Sequence, residues 1–181
     1  MCLIYAGTDD GNVWVTQNSG ANWTLLSDTL PNLWVTKVLA SSSEVSHVYV
    51  TFSGYRYGED NGHVFKSADF GSTWIDISNN LPDIPVNDIL KDNYGNLFLG
   101  TDIGVLASAD EGENWEPLGI NMPSVVVNDM HIHENSEYLY VVISMIKCGI
   151  YSLYVDFARF CLHLSSDDIH HPSRTPKEVI T

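Results

Sequence analysis

Three eight-residue segments of the chain share one spacing, and this repetition limits the possible folds more than any other feature. Thr16-Gln17-Asn18-Ser19-Gly20-Ala21-Asn22-Trp23, Ser67-Ala68-Asp69-Phe70-Gly71-Ser72-Thr73-Trp74 and Ser108-Ala109-Asp110-Glu111-Gly112-Glu113-Asn114-Trp115 place Ser or Thr, Asp or Asn, Gly and Trp at offsets 0, 2, 4 and 7, with the tryptophans 51 and 41 residues apart. Self-similarity at about 40 to 50 residues marks architectures of stacked units, none of which buries its apolar face alone. Each position has a physical use. The side-chain oxygens of Asn18, Asp69 and Asp110 suit backbone N–H groups of a tight turn, and Gly20, Gly71 and Gly112 supply its positive φ. The hydroxyls of Thr16, Ser67 and Ser108 close the turn from the other side. Trp23, Trp74 and Trp115 open the next strand and are expected to be largely buried over the turn.

This pattern resembles the Asp-box or BNR repeat, S-x-D-x-G-x-x-W, of sialidases, xyloglucanase-type glycoside hydrolases, the sortilin propeller and photosystem assembly factors. The second and third copies match it fully. The first carries Thr16 and Asn18 in place of Ser and Asp, and the amide oxygen of Asn18 can still accept. The resemblance covers about residues 3 to 155. It implies an all-β fold, a β-propeller with blades of four antiparallel strands, in which the box joins the third and fourth strands at the periphery and has a structural role.

Short β-rich runs separated by turn residues agree with that architecture. They divide the chain into blades at about 1–29, 34–80, 86–120 and 125–155, with 156–181 a tail or linker. The first blade lacks its innermost strand and the last carries no repeat turn, giving strands in groups of three, four, four and three. Closed propellers use about four to eight complete blades. An incomplete propeller is therefore expected, an open arc of about 3.5 blades. Its open edges would favour self-association.

Charge and composition exclude several functions. A net charge of -15, from 23 acidic and 8 basic residues, argues against nucleic acid, whose binding needs clustered Lys and Arg. No apolar run reaches the roughly 18 residues of a membrane span. Cys2, Cys148 and Cys161 form no CxxC pair, so neither a disulfide framework nor a zinc site is indicated. His131 and His133 share a strand face without a third ligand, and the acidic turns at 9–12 and 59–62 do not fit an EF-hand loop. No metal and no cofactor is expected.

A sialidase site needs several arginines around the substrate carboxylate, and Arg56 alone lies in the propeller region. A two-carboxylate glycosidase would draw on Asp88 and Asp129, which recur in Val86-Asn87-Asp88 and Val127-Asn128-Asp129. Hydrogen bonding at a strand or between blades is the favoured role for them, and no catalytic residue is assigned. The longest loop carries Tyr55, Arg56 and Tyr57, a composition suited to a contact surface. The favoured reading is a non-catalytic scaffold or binding module for carbohydrate or protein, in a secreted or cell-surface bacterial protein. The alternative is a fragment of a BNR-repeat, xyloglucanase-like glycoside hydrolase whose active site is completed by further sequence.

Overall fold

The structure, a computed structural model, describes residues 3–54, 62–119 and 124–132, and the backbone of 138–144 and 150–156. Among the described residues every regular element is a strand, fourteen in all, grouped in four antiparallel sheets of three, four, four and three. Sheet 1 contains β1 (Ile4–Gly7), β2 (Val13–Thr16) and β3 (Thr24–Leu25). Sheet 2 contains β4 (Val35–Ala40), β5 (Val48–Phe52), β6 (Val64–Ser67) and β7 (Ile75–Asp76). Sheet 3 contains β8 (Val86–Lys91), β9 (Leu97–Thr101), β10 (Gly104–Ser108) and β11 (Glu116–Pro117). Sheet 4 contains β12 (Val127–Ile132), β13 (Tyr138–Ser144) and β14 (Ile150–Asp156).

Within each sheet neighbours in sequence are neighbours in space, so each is a meander joined by short turns. Among the described residues β1 pairs only with β2, and β12 to β14 form their own sheet, so the two ends of the arc do not merge there. The outermost strands β3, β7 and β11 are two residues long, shorter than the runs expected from sequence. The preceding turn spends its hydrogen bonds locally, and each repeat tryptophan stands just before the ladder.

The core lies between the sheets. Val13 of sheet 1 packs with Val35, Val50, Phe52 and Phe65 of sheet 2, where the two phenylalanine rings meet edge to face at 5.7 Å. Tyr49, Val64 and Ile77 of sheet 2 pack with Ile89, Leu99, Leu106 and Trp115 of sheet 3. Phe98, Val105 and Leu118 in turn meet Val127 and Met130 of sheet 4. A sheet covered on both faces needs apolar residues at consecutive positions, and all of β5, β9 and β10 is buried. Each fully buried aliphatic or aromatic side chain contributes about 1.5–3 kcal/mol.

The innermost strands carry a further shared feature. β4, β8 and β12 each slip register by one residue at the same place, between Val35 and Lys37, Val86 and Asp88, and Val127 and Asp129. At the bulges of β4 and β8 one side chain leaves the ladder for the next sheet. Thr36 Oγ1 donates to the Val86 carbonyl at 2.6 Å, and Asn87 Nδ2 to the Val127 carbonyl at 3.1 Å. Gly100 is required at its position because a Cβ there would lie 2.9 Å from Val127 Cγ1.

Candidate functional site

The three repeat turns close with the same bonds. The hydroxyl of Thr16, Ser67 or Ser108 donates to Asn18, Asp69 or Asp110 at 2.9, 2.8 and 2.8 Å. It also accepts the N–H of Gly20, Gly71 or Gly112 at 2.9, 2.8 and 2.8 Å. The Asn18, Asp69 and Asp110 oxygens accept from the N–H of Asn22, Thr73 and Asn114, also at 2.9, 2.8 and 2.9 Å. Side-chain and backbone bonds from Thr73 hold the Asp69 carboxyl below its ordinary pKa, and those from Asn114 do the same for Asp110. The glycines have φ near +90°, and the residues before them, Ser19, Phe70 and Glu111, are also left-handed.

The tryptophans behave differently from the turns that carry them. Trp115 is 4% exposed and its Nε1 donates at 2.8 Å to the carbonyl of Ile77, the residue following β7 in the preceding sheet. Trp74 is half-buried and donates at 2.9 Å to Leu26, the residue following β3. Trp23, expected to be buried, is 43% exposed. Burial of the indole comes from the sheet before it, and among the described residues no sheet packs on Trp23 in this way.

Further ties cross the seam between sheets 2 and 3. Lys91 Nζ meets Glu44 at 2.6 Å and Lys66 Nζ meets Glu111 at 2.7 Å. The hydrogen bond from Lys91, then that from His47, hold Glu44 down to about 2. Near the inner strands Asp88 is 1% exposed. Its Oδ1 pairs with Lys37 Nζ of β4 at 2.9 Å and accepts the Ile89 N–H at 2.9 Å, and its Oδ2 accepts the Met130 N–H of β12 at 2.7 Å. Burial raises the Asp88 pKa, with Lys37 acting against it. One carboxylate therefore links three sheets. Asp129, at the matching position of β12, is exposed.

The end of the sheets opposite the repeat turns carries the Thr8–Asn12 and Thr101–Gly104 turns, the ends of the 53–63 loop and the residues leading into the inner strands. Trp34, just before β4, is 60% exposed although its carbonyl accepts the Ser53 N–H at 3.0 Å. Beside it His63 Nε2 meets Asp83 Oδ1 at 2.9 Å, and the His63 ring packs on Gly54, leaving no room for a Cβ there. Tyr55, Arg56 and Tyr57 lie outside the described residues, as does His133. Among the described residues no group of three His, Cys, Asp or Glu is placed to hold a metal.

Sequence reasoning missed Trp34, the His63–Asp83 pair and the Lys37–Asp88 ion pair. Register equates Lys37, Asp88 and Asp129, each first after the bulge of its strand. Aligning the repeats on Val35, Val86 and Val127 would have placed the opposite charges of Lys37 and Asp88 on adjacent inner strands.

No protein-family profile matches the chain, and no curated protein matches it by sequence. Solved structures match it by fold. A GH74 enzyme of Niastella koreensis superposes with a TM-score of 0.62 at 17% identity, over 78% of this chain and 23% of that one. An ancestral GH74 enzyme gives 0.60 at 23% identity over 80% and 21%. The GH74 xyloglucanase from Xanthomonas campestris gives 0.52 at 14% identity over 87% and 35%. This chain is an arc of β-propeller. It spans about a fifth to a third of the length of those structures, and its sheets are the blades.

Proposed function

We propose that the chain is a run of Asp-box repeats acting as a non-catalytic scaffold that presents a carbohydrate-binding face at the end bearing Trp34. The observation that supports a non-catalytic role is the condition of Asp88. Both of its oxygens are engaged across blades and the group is sealed from solvent. A glycosidase acid or nucleophile must reach its substrate, whereas this carboxylate serves blade packing.

Support for a sugar ligand comes from Trp34. An indole left largely in water at the mouth of the inner strands offers a flat apolar surface for a pyranose ring. The xyloglucanase named among the structural neighbours makes xyloglucan the first ligand to try. The loop with Tyr55, Arg56 and Tyr57 begins and ends at the same face and belongs to the proposed contact surface. The tail or linker expected at 156–181, whose first residue Asp156 closes β14, stands outside the repeats on this reading.

Isothermal titration with xyloglucan oligosaccharides tests the proposal. Binding is expected, and Trp34→Ala should weaken it by about 10-fold, the loss of one stacking contact of ~1–2 kcal/mol. Equal binding by the variant would remove Trp34 from the site. A second reading, that the chain is part of a xyloglucanase-like enzyme, is favoured by its short coverage of the GH74 structures. Release of reducing ends from xyloglucan by a longer polypeptide that contains this chain, abolished by Asp129→Asn, would favour that reading over the scaffold.

A further inference from the structure

Blade 2 holds a carboxylate out to solvent at the same end as Trp34. Leu33 and Val35 are buried on either side of Trp34, so its backbone is fixed while its indole stands largely in water. Its carbonyl accepts the Ser53 N–H, and the Phe52 N–H donates at 3.0 Å to the His63 carbonyl one strand further out. Trp34, Ser53 and His63 therefore form a row across the ends of β4, β5 and β6. Two strand spacings separate its first and last members, roughly 10 Å. Asp83 reaches His63 from the connector between β7 and β8, where Leu81 and Ile84 pack against the core between blades 2 and 3. Asp83 is thus anchored from both sides, as Trp34 is.

The two members of the His63–Asp83 pair differ in exposure. The His63 side chain is 5% exposed and that of Asp83 56%. His63 Nε2 meets Asp83 Oδ1, while Nδ1 is buried and has no hydrogen-bond partner among the described residues. Ser78 Oγ accepts the N–H groups of His63 and Val64 at 2.8 and 3.1 Å, which ties the backbone beneath the ring. A buried imidazole with one unsatisfied nitrogen is destabilising, and packing alone would be served better by an apolar side chain. What the ring achieves is to fix one oxygen of an exposed carboxylate. Asp83 Oδ2 has no bond among the described residues. In Asp88, by contrast, both oxygens are engaged and buried.

We infer that Asp83 determines the specificity of the carbohydrate-binding face and that His63 positions it. This rests on the reading above and deepens it. With one sugar ring stacked on Trp34, a linked ring extends along the row and brings its hydroxyls to Asp83 Oδ2, which accepts them in charge-assisted bonds. The ligand class is a neutral oligosaccharide of at least two rings. An acidic glycan would set its own carboxylate against Asp83, and like charges so placed oppose binding. His63 touches no sugar and acts through the direction it gives the carboxylate.

Isothermal titration with xyloglucan oligosaccharides, which are neutral, and with oligogalacturonate, which is anionic, tests the inference. The unsubstituted chain should prefer the neutral ligand. Asp83→Ala should weaken that ligand by about 10-fold, the loss of one charge-assisted bond. Asp83→Asn keeps an oxygen for His63 and should narrow the preference for neutral over anionic severalfold. His63→Phe, which fills the space without a donor, should narrow it too, and His63→Gln, whose amide can donate, should restore it. A merely structural His63 would change both affinities alike and leave their ratio where it was, which would overturn its positioning role. If both Asp83 variants bind the two ligands as the unsubstituted chain does while Trp34→Ala loses binding, the inference is overturned and the carbohydrate reading stands. A preference of the unsubstituted chain for oligogalacturonate overturns the inference in the same way. Absence of binding to either ligand removes the carbohydrate reading and the inference together.

Discussion

The first and third repeat turns have nearly identical hydrogen bonds and opposite surroundings. Thr16, Asn18 and Gly20 reproduce the contacts of Ser108, Asp110 and Gly112 to within 0.1 Å or so in the bonds that close the loop. Yet Trp115 is sealed beneath Ile77 while Trp23 is 43% exposed. The turn is thus a local object, specified by eight residues and formed whether or not a neighbour is present. The tryptophan is a joint, and its burial is a property of two blades. Local closure and blade-to-blade adhesion share one motif and can be separated by substitution.

The largest expected effect lies in adhesion alone. Asp88→Ala removes no turn, but leaves the buried Met130 N–H without an acceptor and Lys37 without its counter-ion. Urea denaturation should show a loss of about 2–4 kcal/mol. A loss under about 0.5 kcal/mol, the range of an ordinary surface substitution, would mean that the three-blade link does not hold the inner strands together. The glycines separate the two roles directly. Gly20→Ala meets only the penalty of a left-handed Ala, about 1 kcal/mol, because its surroundings are open. Gly112→Ala adds a collision with Ile77, bringing the cost to about 2–4 kcal/mol. Equal costs at the two positions would break the comparison.

A smaller and uniform effect is expected of the turn oxygens. Asn18→Ala and Asp110→Ala should each cost about 1 kcal/mol by the same assay, since each frees one well-aligned N–H near solvent. A much larger loss for Asp110 would show that the turn also serves the seam. Acidity gives the weakest signal, and its two parts have opposite signs. Asp69 and Asp110 titrate below the ordinary 3.8, so their stabilisation is complete above that value and is lost as pH falls through their lowered values. Asp88 titrates above 3.8, so the folded chain takes up its proton first and stability rises as pH falls through that raised value. The melting temperature should therefore rise modestly on mild acidification and fall in stronger acid. Asp88→Asn should remove the rise and keep the fall, as followed by circular dichroism.

This division explains what the sequence disclosed. The four sheets and their three, four, four and three strands were legible because β-rich runs and turn residues are local signals. The exposure of Trp23 was not, since its eight-residue segment contains the same features as the others and the absent neighbour leaves no mark in it. Trp34 was also overlooked, because it belongs to no repeat and its matching positions hold Pro85 and Val126. The Lys37–Asp88 pair escaped for another reason: each residue, read within its own strand, is an ordinary charge. Only their juxtaposition between blades gives them a role.

The register slip at the foot of β4, β8 and β12 carries a last consequence. Thr36 reaches forward to Val86 and Asn87 reaches forward to Val127, always from the earlier strand to the later. The contact is head-to-tail, so the arc has a growing direction, as an actin-like filament has unlike ends. Asn128, the next residue in that series, stands exposed on β12 with its donor group directed to no later inner strand among the described residues. In an array whose units touch only their neighbours, repeats can be gained or lost as whole units without redesign of the blades that remain.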